Sequence, residues 1–168
     1  DTGHLDISLL TKDLYLDDSL RFKDFSARLQ KEGQNTLAYG IGWKKDSSSI
    51  ALQAASLNGM LRFLSKGNLE IMLQDFVLHA GNTFWKNYPD GKVIISEDSI
   101  IFDSVGIYSP RSLDGILAAG EMSRNPESVL RVDFSNFNLS YFDFLLRRFK
   151  MDIDSRINGF AEVKDFHG

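Results

Sequence analysis

The stretch "NLEIMLQDFVL", residues 68–78, decides the fold. Leu69, Ile71 and Leu73 alternate like one face of a strand; then the phase slips, and Phe76 and Leu78 carry the pattern on. The same slip recurs at residues 129–139, where Leu130, Val132 and Phe134 give way to Phe137 and Leu139. Aligned without gaps, Asp75 falls on Asn136. A one-residue slip in an unbroken strand would send every later side chain to the other face. A bulge or sharp bend is the natural remedy. The two stretches therefore read as two copies of one bent strand element. The competing reading is chance, because apolar alternation is common.

The rest of the chain is written in the same idiom. Leu5, Ile7 and Leu9 alternate, as do Phe25, Ala27 and Leu29. In "TLAYGIGWKK" Leu37, Tyr39, Ile41 and Trp43 share one face, opposite Ala38, Gly40 and Gly42. Such a small face predicts close backbone approach or a bend. Turns are expected at "KEGQN", "KKDSSS", Asn58-Gly59, "KGN", "PDG" and "SRNPES". Met60 to Leu64 is read as a separate short strand, with a short helical turn as the alternative. The best helix candidate lies at residues 140–152, where Phe142, Leu145, Leu146 and Phe149 fall at helical spacing. The sum is all-β: a curved, open, mostly antiparallel sheet, a trough or incomplete sandwich or barrel, with one or two short helices. Residues 1–168 read as a single β-rich segment cut from a larger repetitive protein.

Composition narrows the function. The net charge is -4, which provides no electrostatic footprint for nucleic acid. There is no cysteine, so disulfides and thiolate metal sites are excluded. "MDIDSRINGF" resembles part of a calcium loop but has Arg156 and Val163 where oxygen ligands are required. His4, His79 and His167 are scattered, without a second ligand at metal spacing. The serines cluster in turns, the glycines form no phosphate loop, and nothing sets the carboxylates across a cleft. The reading is therefore no enzyme and no cofactor.

What remains unusual is geometry. A sheet with one greasy face must bury it, either against a second sheet or against a ligand such as an acyl chain. The phase of the strands makes Leu69, Ile71, Leu73, Leu130, Val132 and Phe134 the candidates for lining such a groove. Phe84, Trp85 and Tyr88, with Phe142, Leu145 and Phe149, are candidates for a cap or binding surface, although for Phe84, Trp85 and Tyr88 ordinary packing against the sheet edge is the favoured reading. Exposed sheet edges in a cut repeat structure are free to pair, so dimerisation through them is an expectation.

The texture also resembles a known family. "LRVDFSNFNLSYFDFLL" followed by "RINGFAEVKDFHG" resembles the repeats of TamB and other AsmA-like proteins, in the form found in Bacteroidetes. The positions that carry it are Asn136, Phe137 and Leu139, then Ile157, Gly159, Ala161, Val163 and Gly168. The resemblance covers roughly residues 60–168, and the first 60 more loosely. It implies a taco-shaped β-structure in the periplasm, in a protein anchored at the inner membrane of a Gram-negative bacterium. It also implies phospholipid acyl chains as cargo and a BamA-like outer-membrane partner. It carries over no catalytic residue. The aromatic stretch 140–150 departs from the pattern and is placed to plug or cap a groove. The alternative function is a soluble β-sandwich that binds carbohydrate or protein at a cell surface, with an exposed aromatic platform around Trp85 and Tyr88.

Overall fold

A computed structural model describes residues 4–17, 20–45, 52–80, 83–138 and 155–164. These form one 11-stranded, open, curved sheet. The strands are β1 (Asp6–Asp17), β2 (Leu20–Gly33), β3 (Thr36–Lys45), β4 (Leu52–Phe63), β5 (Leu69–Ala80), β6 (Thr83–Asn87), β7 (Lys92–Ile95), β8 (Ser99–Tyr108), β9 (Gly115–Ser123), β10 (Val129–Asn138) and β11 (Arg156–Lys164). Every pairing is antiparallel, and strand order follows chain order. β6 and β7 both pair with β5 and with β8, so they are two halves of one lane interrupted by the Pro89-Asp90-Gly91 turn. The meander therefore has ten lanes, with β1 and β11 at its edges.

The phase slips are bulges, and they preserve the face. Before the slip, Leu69, Ile71 and Leu73 stand opposite Phe63, Leu61 and Gly59. After it, Phe76 and Leu78 stand opposite Leu57 and Ala55. β4 keeps strict alternation from Ala55 to Phe63, so both halves of β5 share its side. The extra residue lies between Leu73 and Asp75. In β10 the register shifts between Phe134 and Phe137, and Asn136 takes φ 47°, in the left-handed region that asparagine tolerates. Each bulge frees a backbone N–H, and an asparagine of the following strand takes it. Asn87 Oδ1 accepts the Phe76 N–H at 3.0 Å, and Asn158 Oδ1 accepts the Asn136 N–H at 2.6 Å. Two more slips of this kind sit in β8, between Phe102 and Val105, and in β2, between Lys23 and Ser26. Ser104 and Asp24 are the residues with positive φ there.

Two expectations need correction. Asn58-Gly59 is no turn: both residues lie inside β4, which runs unbroken from Leu52 to Phe63 and includes most of the separate strand expected at Met60 to Leu64. The physical reason is that Gly59 leaves room for the Tyr39 ring and the Met72 carbonyl, which a Cβ would strike. The turn comes later, as the three-residue 3-10 turn Ser65–Gly67, the one helical piece among the described residues. The helix candidate at 140–152, residues 46–49 of the "KKDSSS" turn, Leu139, His167 and Gly168 lie outside the described residues.

The sheet curls toward its apolar face. Trp85 in β6 and Phe137 in β10 are three lanes apart, roughly 14 Å on a flat sheet. Their ring centroids are 5.6 Å apart, edge to face, and each side chain is 2% exposed. Only Ala55 and Leu130 join them as buried apolar side chains among those described. The accessible surface is 11038 Å², against about 8,400 Å² for a compact monomer of this mass. The bulge in β5 makes a direct prediction. Asn87 also donates to the carbonyls of Leu73 (3.1 Å) and Tyr88 (3.0 Å), so Asn87→Ala orphans backbone groups in the sheet. It should cost about 2 kcal/mol in urea unfolding, with no change of fold by circular dichroism.

Candidate functional site

Register alone places the side chains of the apolar face. Directly opposed residues in antiparallel strands share a side. Leu69 and Ile71 face Ile95 and Val93 of β7, which face Ile100 and Phe102 of β8. Those two lead on to Met122 and Gly120 of β9, and Gly120 to Leu130 of β10. Val132 and Phe134 stand opposite Ala118 and Ile116, and on the other side opposite Ala161 and Gly159. The six residues proposed from sequence, Leu69, Ile71, Leu73, Leu130, Val132 and Phe134, thus lie on one continuous face. Among the described residues, the opposed positions of that face from β4 to β11 hold no Asp, Glu, Lys or Arg. Apart from Leu130 the six are half-buried, not sealed in a core.

Two polar side chains on this face, Tyr39 and Asn87, are spent on the backbone, while the buried Trp43 indole N–H has no hydrogen-bond partner among the described residues. Tyr39 lies across Gly59, and its hydroxyl donates to the Met72 carbonyl at 3.2 Å. Burial pushes the Tyr39 phenol up from its ordinary value of 10.0. The Asn87 amide is used within the bulge.

From β4 to β11 the ion pairs lie on the reverse face. Arg62 pairs with Glu70 at 2.9 Å, Lys92 with Asp103 at 3.5 Å and Arg131 with Asp133 at 2.8 Å. The Arg131 guanidinium also sits 4.0 Å over the Phe160 ring. Its hydrogen bonds hold the Asp133 carboxyl below the usual carboxylate range. A depression of about 530 Å³ opens on this reverse side across β1–β5. It exists because Ala38, Gly40 and Gly42 leave the surface bare, which is the close approach expected from the small face. The space a Gly40 Cβ would need is taken by Asn58 Oδ1 at 2.9 Å. Its one charged lining residue, Arg28, is already bound to Asp6 at 2.8 Å, so it gathers no reactive constellation.

Strand alternation divides the aromatic candidates. Trp85 is buried on the apolar face against Phe137. Phe84 is on the reverse face, paired with His79, with Lys86 Nζ at 5.8 Å and the Arg111 guanidinium at 5.7 Å from its ring. Tyr88 packs on Tyr108 at 5.0 Å. Phe142, Leu145 and Phe149 lie outside the described residues. Among the described residues no group of three or more His, Asp or Glu could hold a metal ion, and no helix is long and apolar enough to cross a membrane.

One polar cluster escaped the sequence reading. Asp114 is fully buried in the loop immediately before β9. Its Oδ1 accepts from Asn136 Nδ2 at 2.7 Å and from Arg156 Nη1 at 3.3 Å. Asn136 Nδ2 also reaches the Ser112 carbonyl at 3.1 Å. The cluster pins the β8–β9 loop to the bulge of β10. "SLDG" carries no local signal for it, because the partners are 22 and 42 residues away.

Two outcomes follow from these geometries. Asp114→Ala should cost about 2–3 kcal/mol in urea unfolding, because it removes the acceptor of two donors in a buried place. For Tyr39 the sign is fixed by its raised folded value. The stability from its protonated hydroxyl is complete below the ordinary value of 10.0 and is lost as pH rises through the raised one. Tyr39→Phe should therefore flatten the alkaline fall in melting temperature; an unchanged alkaline limb would contradict this. Compared with known proteins, the chain matches no family model, no curated protein and no solved structure.

Proposed function

We propose that this chain is a non-enzymatic segment of a cell-envelope protein, in which the apolar face forms a hydrophobic conduit for phospholipid acyl chains. The single observation that supports this reading is the continuous face from β4 to β11. It is free of charged residues among those described, lies on a curved sheet, and is mostly half-buried. Burying an acyl chain there is worth roughly 0.8 kcal/mol per CH₂ and needs no polar partner. That suits a surface on which the Tyr39 hydroxyl and the Asn87 amide are already engaged. The wider role carried by the TamB-like texture is part of the same proposal. The full-length protein would be anchored at the inner membrane and cross the periplasm. It would serve lipid movement or outer-membrane protein assembly with a BamA-like partner.

The test is native mass spectrometry of protein purified gently from a bacterial host, with lipid extraction in parallel. Phospholipid should co-purify with the wild type. It should be lost from Ile71→Asp and Val132→Asp, which put charge in the trough, and kept by Met72→Asp, next door on the reverse face. Wild-type protein that is lipid-free, monomeric and stable would overturn the conduit reading. Loss of lipid in Met72→Asp alone would do the same.

A further inference from the structure

We infer that the two edges of the sheet are complementary, so that β11 of one copy of this chain docks antiparallel on β1 of a second copy. The inference is independent of lipid. Ten lanes is an even number, so β1 and β11 run in opposite directions. A second copy added edge to edge therefore continues the antiparallel meander.

The hydrogen-bonding phase agrees. The Leu5 carbonyl accepts the Lys31 N–H at 2.8 Å, so Leu5, Ile7 and Leu9 turn their backbone groups toward β2. Asp6, Ser8 and Leu10 turn theirs outward. At the other edge, Ser109 N–H donates to the Asp114 carbonyl at 2.8 Å. Alternation carried through β9 and β10 from that bond turns Leu130, Val132 and Phe134 toward β11. Their partners Val163, Ala161 and Gly159 face back, which leaves Phe160, Glu162 and Lys164 facing out.

One register matches these groups and their side chains together. It sets Asp6 opposite Lys164, Ser8 opposite Glu162 and Leu10 opposite Phe160 as hydrogen-bonded pairs. Leu10 and Phe160 are 79% and 57% exposed on the reverse face, and the pairing covers both. On the apolar face Ile7 meets Val163 and Leu9 meets Ala161, where Ile7 is 54% exposed. The charges fall in alternating order, because Arg28 already holds Asp6, and Lys164 already holds Glu162 at 2.9 Å. Shifting by two residues one way puts Asp6 against Glu162; shifting the other way puts Leu10 against Glu162. The first shift opposes two like charges and the second sets an apolar side chain against a carboxylate, and the preferred register avoids both. Such a contact is head to tail and does not close on itself in a dimer, so it builds chains of copies and extends the apolar face across the joint.

The test uses the absence of cysteine. Leu9→Cys and Ala161→Cys chains are mixed at high concentration under mild oxidation. Residues 9 and 161 would form a non-hydrogen-bonded pair, whose close Cα approach suits a disulfide. The mixed disulfide should form roughly tenfold faster than Leu9→Cys with Val163→Cys, and faster than either same-variant dimer. Ser8→Pro removes an outward N–H without touching the β1–β2 ladder, and should weaken self-association in sedimentation velocity by roughly tenfold. Three results would each overturn the inference. They are a protein monomeric at all concentrations, a preference for Leu9→Cys homodimers, and an intramolecular disulfide in the Leu9→Cys/Ala161→Cys double variant at high dilution. Should Ser8→Pro fail to fold, the cysteine pair still decides the register.

Discussion

The constraint on which the structure depends is that the lanes from β4 to β11 must keep one apolar face continuous. A long twisted strand cannot do so by alternation alone once it bends. β5, β8 and β10 each insert an extra residue, at Gln74-Asp75, Asp103-Ser104 and Ser135-Asn136. The insertion costs a broken ladder and, at Ser104 and Asn136, a left-handed backbone that few side chains tolerate. The gain is a sheet that curls while its greasy face stays continuous. Polar side chains repair the break: Asn87 and Asn158 take the freed N–H groups, and Asp114 with Arg156 braces the second site.

Curvature then distributes the packing. At one end the curl brings Trp85 and Phe137 together and seals the apolar face locally. Elsewhere the same face stays half-covered, with Ile7 and Leu9 more than half exposed at one edge and Val163 exposed at the other. The outer surface carries ion pairs that are mostly exposed and contribute little stability individually. Their service is to keep that side in water and to mark it off from the trough. The result is a protein with one side that is free of charge from β4 to β11 among the described residues and one side that carries the ion pairs, with little sealed core to join them.

Much of this was legible in the sequence. The spacing from Leu73 to Phe76, and from Phe134 to Phe137, is three where alternation demands two, and both places are bulges. The same three-residue gap from Phe102 to Val105 went unread, although the signal was as plain. Asn58-Gly59 was misread because that dipeptide is a strong hairpin signal. Yet Leu57, Gly59 and Leu61 keep strand phase, and the glycine serves the Tyr39 ring from a neighbouring strand. Long-range consequences left no local trace. Nothing in "TFWKN" says that Trp85 meets a phenylalanine 52 residues on, and nothing in "SLDG" says that its aspartate is fully buried.

The central claim is that a bulge resets the phase so that both halves of a strand face the trough. Single cysteines at Ile71, Met72, Val77 and Leu78, spin-labelled one at a time, test it most directly. The readout is accessibility to a charged nickel chelate relative to molecular oxygen. The account predicts that Ile71 and Leu78 behave alike, shielded from the chelate, while Met72 and Val77 are open to it. If Ile71 grouped with Val77, and Met72 with Leu78, alternation would run unbroken through Asp75 and the single apolar face would not exist.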